Sequence, residues 1–156
     1  MKTETLGERA MPAEPHLTLI ARTIQLSVAP VFLLTAIGTA LAVLTGRLNR
    51  IVDRARVLEE RMASLPVKEE GEIYTELTTL SRRSKLINVA LTLGTLCALL
   101  ICSMIAAMFI GVFLSIDLAD VVALLFVTAM LAFIGALVAF LREIFIAVKS
   151  LRIGMK

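Results

Sequence analysis

The sequence lacks charge over three long stretches. No Asp, Glu, Lys or Arg occurs in residues 23–46, 86–116 or 121–141. Each stretch is longer than the roughly 20 apolar residues that a helix needs to cross about 30 Å of hydrocarbon. Because 58% of the residues are apolar and the mean hydropathy is +0.90, a soluble domain of this length could not bury them all. The short alternating strands of a membrane β-barrel are also missing from the sequence.

The residues that carry chemistry are equally scarce. His16 is the only histidine and lies in a polar segment, which argues for a surface residue rather than a ligand. Cys97 and Cys102 are five residues apart, so they point to different faces of a helix and are expected to be small buried residues. No carboxylate is expected deep in the membrane, and the sequence contains no phosphate-binding or dinucleotide-binding motif. We therefore predict no enzyme activity, no metal site and no cofactor.

These patterns predict an all-α integral membrane protein with three transmembrane helices. The first two helices are expected to extend into a cytoplasmic antiparallel helical hairpin. The predicted segments are an N-terminal tail (1–16), transmembrane helix 1 (17–46), the hairpin (47–85), transmembrane helix 2 (86–115), an outer turn (116–120), transmembrane helix 3 (121–141) and a C-terminal tail (142–156).

The orientation follows from the distribution of lysine and arginine. Of the 16 such residues, nine lie in the connection 47–85, four in the segment 142–156 and three in the first 22 residues. The positive-inside rule puts the connection and the C-terminus in the cytoplasm and the N-terminus outside a bacterial cytoplasmic membrane. Because orientation accounts for the basic clusters, they do not indicate nucleic-acid binding.

The hairpin is predicted from an apolar seam that continues beyond the first charge-free stretch. Alternating spacings of four and three, as in a coiled coil, relate the seven residues Leu44, Leu48, Ile51, Ala55, Leu58, Met62 and Leu65. Pro66 is expected to end this helix. A second helix then repeats the pattern with Ile73, Leu77, Leu80, Ser84 and Ile87.

Small residues recur along each predicted span, as helices that pack closely in lipid require. The rows are Gly38, Ala42 and Gly46 in the first span, Gly94, Ala98, Cys102 and Ala106 in the second, and Thr128, Ala132, Gly135 and Ala139 in the third. The sequence leaves open whether these rows pack within one chain or between chains.

The first span also has a small and polar face. At 100° per residue, an arc of about 120° contains Ser27, Thr35, Gly38, Thr39, Ala42, Thr45, Asn49 and Asp53. Hydroxyl and amide groups can replace part of an ion's hydration shell, so this face is a candidate pore lining. In the alternative interpretation, the hydroxyls bond to their own helix and the face packs against a neighbour.

Charged residues cluster at the two ends of the spans. A basic belt at the cytoplasmic end is expected to contact anionic lipid headgroups or an acidic partner; it comprises Arg47, Arg50, Arg54, Arg82, Arg83 and Lys85. In the outer turn, Asp117 is expected to cap the third helix, with Asp120 in its first turn. In an oligomer, these two carboxylates are candidates for an acidic outer mouth.

Two segments resemble an uncharacterised family of small three-span bacterial inner-membrane proteins, grouped as a domain of unknown function. They read IQLSVAPVFLLTAIG at 24–38 and GRLNRIVDRAR at 46–56. The resemblance covers most of the chain from Ile24 to Leu141. It implies the same three-span layout, but no activity and no functional residues.

Two functional hypotheses follow from the sequence. The first is a homo-oligomeric membrane assembly that conducts ions along the polar face of the first helix, since one chain is too small to enclose a path. The second is a non-conducting scaffold whose basic cytoplasmic hairpin binds a protein partner or anionic lipid. Membrane lipids are expected partners in both.

Overall fold

Three helices make up almost all of the described chain. A computed structural model describes residues 14–62 and 70–153, and the helices are α1 (Glu14–Met62), α2 (Glu70–Leu114) and α3 (Ala119–Ile153). Each contains a stretch long and apolar enough to cross a membrane. These described ranges hold no strand, and the predicted all-α fold with three membrane-spanning helices is confirmed.

Some predicted features lie outside the described residues. They are most of the N-terminal tail, Leu65 and Pro66 at the predicted hairpin turn, and the last three residues of the C-terminal tail. The side chain of His16 is likewise outside the described part of the chain.

Helix α2 lies between the other two helices and packs against both, whereas α1 and α3 make few contacts with each other. The buried face of α1 repeats every seven residues, at Ile37, Leu44, Ile51 and Leu58. This face packs in two apolar clusters with α2 and α3, one around Ile37 and one around Ile51. A repeat of seven returns to the same side of a helix, so a single stripe of α1 is covered.

Small residues bring the helices close together. A Cβ atom on Gly94 of α2 would lie 2.9 Å from Cδ2 of Leu41 on α1, and one on Gly135 of α3 would lie 3.1 Å from Cδ1 of Leu93 on α2. Such approach favours dispersion contacts, which hold helices together where lipid removes the hydrophobic driving force. By contrast, a Cβ atom on Gly38 or Gly46 of α1 would meet nothing within 4 Å.

The connection between α2 and α3 is a tight turn. Ser115 has a left-handed backbone (φ 54°), and the Ile116 N–H donates to the Gly111 carbonyl at 3.0 Å, which closes the end of α2. The Ala119 N–H then donates to Asp117 Oδ1 at 3.0 Å, so Asp117 caps α3 as expected. Asp120 lies in the first turn of that helix.

Candidate functional site: a buried carboxylate between two arginines

The inward face of α3 is a row of alanines that leads to a glutamate. Ala129, Ala132, Ala136 and Ala139 are buried, and the same alternating spacing continues to Glu143, whose exposed fraction is 0%. Alanine side chains let α3 approach α2 closely, and the carboxylate of Glu143 therefore enters the protein interior. It lies just past the end of the charge-free stretch 121–141.

Both oxygens of the Glu143 carboxylate accept hydrogen bonds from arginines on the other two helices. Nη1 of Arg47, on α1, donates to Oε2 at 2.8 Å. Arg83, on α2, donates to Oε1 through Nε at 3.0 Å and through Nη2 at 2.8 Å. Charged groups on all three helices thus meet at one point.

Arg47 has a further contact that fixes its side chain. Its guanidinium carbon lies 5.3 Å from the centroid of the Phe140 ring on α3, within the range of a cation–π interaction. Since α1 and α3 otherwise contact each other little, the Arg47 contacts with Phe140 and Glu143 tie these two helices together.

The electrostatics explain why a buried carboxylate is tolerated here. Isolating one in a low-dielectric interior is very costly, and two guanidinium groups with three hydrogen bonds offset that cost. The side chains of Arg47 and Arg83 remain 38% and 21% exposed, so each keeps part of its hydration. Within the described ranges, every buried side-chain nitrogen or oxygen has a hydrogen-bond partner.

The predicted basic belt divides into paired and unpaired cations. Arg47 and Arg83 bind Glu143 rather than facing only outward, and Arg54 Nε pairs with Glu76 Oε1 at 2.9 Å. The other three belt residues are exposed and form no ion pair within residues 14–62 and 70–153; these are Arg50, Arg82 and Lys85.

Sequence reasoning overlooked Glu143 because it lies two residues outside the third charge-free stretch. The signal was nevertheless present, since Glu143 continues the three-and-four spacing of the alanines before it.

The predicted polar face of α1 points mostly away from the rest of the chain. Seven of its eight residues are exposed: Thr35, Gly38, Thr39, Ala42, Thr45, Asn49 and Asp53. Ser27 is the exception, being 6% exposed and donating to the Thr23 carbonyl at 2.8 Å. The hydroxyls of Thr35, Thr39 and Thr45 also donate to the carbonyl four residues earlier in α1.

Two pockets lie between α1 and α3, with α2 as their floor, and the two are together called the crevice. The upper part, beside the apolar stretches of the helices, is an apolar cavity of about 170 Å³ lined by residues that include Ala40, Val43, Gly94, Leu137 and Phe140. The lower part, at the charged ends of these stretches, is a basic pocket of about 390 Å³, whose lining includes Arg47, Arg50, Arg54 and Arg83. Arg47 lies between the two parts, because it contacts Phe140 above and lines the basic pocket below.

A second basic pocket lies on the other side of α3, between α2 and α3. Arg82, Lys85 and Arg142 line it together with Leu86, Phe145 and Ile146, and its volume is about 540 Å³.

No three metal-ligating side chains cluster within residues 14–62 and 70–153. Cys97 is buried in the core and Cys102 is exposed, so they lie on different faces of α2, as predicted. The expectation that both are buried is wrong for Cys102, because the side of α2 on which it lies is not covered within the described residues.

Comparison with known proteins gives a family but no activity. No curated protein and no solved structure matches the chain. A family model does match residues 27–153, and its description is "Protein of unknown function (DUF2721)". Because the match covers most of the sequence, the chain belongs to this uncharacterised family.

Proposed function

We propose that this protein forms a homo-oligomer in a bacterial cytoplasmic membrane, with the polar face of α1 turned toward neighbouring subunits around an ion path. The observation that carries the proposal is the unused row of small residues on α1. Gly94 and Gly135 are in close contact with side chains of the same chain, whereas Gly38 and Gly46 face open space. A row of small residues that its own chain leaves uncovered suits close packing against a second copy.

The ion path is proposed from the chemistry of the same face. The hydroxyl hydrogens of Thr35, Thr39 and Thr45 are donated within α1, and the hydroxyl oxygens keep lone pairs on its exposed side. Oxygen acceptors spaced along a helix suit a partly dehydrated cation. Asn49 and Asp53 continue the exposed face beyond the apolar stretch.

The first test is the mass of the full-length protein in nanodiscs or mild detergent, measured by native mass spectrometry. A closed ring of roughly four or more subunits is expected; a monomer would contradict the proposal. Ion flux into proteoliposomes is then compared for T35L/T39L and for Thr128→Leu, which alters an exposed threonine of α3. T35L/T39L should lower flux without changing subunit number, and unchanged flux in an intact assembly would refute the lining.

A non-conducting scaffold is the second candidate, favoured by the ends of α1 and α2 beyond the apolar stretches. Residues 47–62 extend α1 by about 24 Å at 1.5 Å per residue. Leu58 and Leu80 belong to one buried cluster, and Arg54 pairs with Glu76. We infer that these ends form the cytoplasmic hairpin, with the N-terminus outside.

The scaffold would recruit its partner through charge. Much of the apolar seam is covered within the chain, since Leu44, Ile51 and Leu58 are each at most 5% exposed. An acidic protein or an anionic membrane surface therefore suits the exposed cations better than a coiled-coil partner does. Charge reversal at Arg50 and Arg54 should abolish co-purification of such a partner and leave conductance unchanged; retained co-purification would rule the scaffold out.

The orientation of the hairpin is tested separately. A membrane-impermeant maleimide should label Tyr74→Cys only from the cytoplasmic side.

A further inference from the structure

We propose that the crevice between α1 and α3 binds one anionic phospholipid, with an acyl chain in its apolar part and the phosphate in its basic pocket. This inference does not require the oligomer proposed above. It shares with the scaffold hypothesis only the expectation that the ligand is an anionic lipid, and it assigns that lipid a defined site.

The lower part of the crevice has the charge that a phosphate needs. Four arginines line it, and the two carboxylates that pair with them are those of Glu143 and Glu76. The pocket therefore carries two more positive charges than negative ones. Arg50 is exposed and has no ion pair within the described ranges, which leaves its guanidinium available for a phosphate.

The upper part of the crevice has the shape and polarity that an acyl chain needs. All of its lining side chains are apolar, and Gly94 and Ala90 form a floor on α2 between the two walls. Val43 on one wall and Leu137 on the other are about half exposed, so the cavity opens toward the lipid rather than being sealed. Apolar volume that opens to the bilayer is filled by lipid tails rather than by water.

The basic pocket and the apolar cavity lie at the membrane depths of a lipid phosphate and of an acyl chain, respectively. Arg47 and Arg83 are among the first charged residues at the ends of the apolar stretches 23–46 and 86–116. Charges in that position lie at the level of the lipid phosphates. The apolar cavity lies on the membrane side of this level, and Arg47 marks the junction through its contact with Phe140.

The second basic pocket serves as an internal control. It has three cationic side chains, and none of its lining residues also lines the apolar cavity between α1 and α3. General attraction of basic residues to anionic lipid would act equally at both pockets, whereas a phospholipid site requires the charge and the cavity together. Arg50→Gln is thus matched by Arg82→Gln, since each removes one exposed arginine that forms no ion pair within the described ranges.

The test is native mass spectrometry of the full-length protein titrated with phosphatidylglycerol or with phosphatidylcholine. The unchanged protein should retain one phosphatidylglycerol per chain in preference to phosphatidylcholine. R50Q should weaken that binding roughly fivefold if its charge contributes as cations at a membrane surface do, and R82Q should weaken it far less. Equal weakening by the two variants would overturn the proposal.

The apolar part is tested by filling it. Val43→Trp places a large ring in the cavity, and Val138→Trp places the same ring on an exposed part of α3 that does not line it. Only Val43→Trp should reduce phosphatidylglycerol retention. No reduction, or displacement of the lipid by soluble glycerol phosphate, would mean that no acyl chain occupies the crevice. The same spectra count subunits, so failure of the lipid site and failure of the oligomer are separate results.

Discussion

Replacing Glu143 by glutamine should destabilise the three-helix packing, and by more than a charge change at an exposed neighbouring residue does. The carboxylate is fully buried and accepts three hydrogen bonds from Arg47 and Arg83. The amide keeps the size of the side chain, but it removes the negative charge and turns an N–H donor toward one of the arginines.

The expected magnitude follows from the geometry. Breaking a buried ion pair costs about 3–5 kcal/mol, and the partial exposure of both arginines reduces that cost because they regain water. We therefore expect Glu143→Gln to lower the free energy of unfolding by about 2–4 kcal/mol. Arg83→Gln should cost more than Arg47→Gln, since Arg83 donates two of the three hydrogen bonds and is less exposed.

The assay is equilibrium unfolding in mixed micelles, followed by circular dichroism as SDS is added. Arg142→Gln is the matched control, because Arg142 is an exposed neighbour on the same helix. The double variant E143Q/R83Q should lose less than the sum of the single losses, with a coupling of about 1 kcal/mol or more. The reasoning is refuted if Glu143→Gln costs no more than Arg142→Gln, or if the losses are additive.

Two further predictions concern backbone geometry and helix approach. Ser115→Gly should raise the free energy of unfolding by about 0.5–1 kcal/mol, because glycine adopts a positive φ without strain; Ser103→Gly, inside α2, should lower it, and a loss at both positions would contradict the left-handed turn. Gly94→Val should cost about 1–3 kcal/mol because its side chain would collide with Leu41, whereas Gly46→Val should leave the unfolding of the single chain nearly unchanged. Equal losses at the two glycines, in the same SDS titration, would show that Gly94 does not face α1.

Local pattern in the sequence was enough to predict the three spans and much of the buried seam. Charge-free length decides whether a helix can cross a bilayer, and it needs no knowledge of the neighbouring helices. The seam residues Leu44, Ile51 and Leu58 were predicted from their spacing, and each of them is buried. The residues of one face recur at a known period, so such a stripe can be read from the sequence.

What only the tertiary structure decided is how each helix is rotated against its neighbours. Spacing groups Thr35, Gly38 and Asn49 on one face of α1, but only the packing of α2 against the opposite face leaves that group exposed. The same packing brings Glu143 between Arg47 and Arg83, residues that lie 96 and 60 positions earlier in the chain. Periodicity is a property of a single helix, whereas an ion pair between helices depends on their relative rotation and height, which three separate apolar stripes leave undetermined.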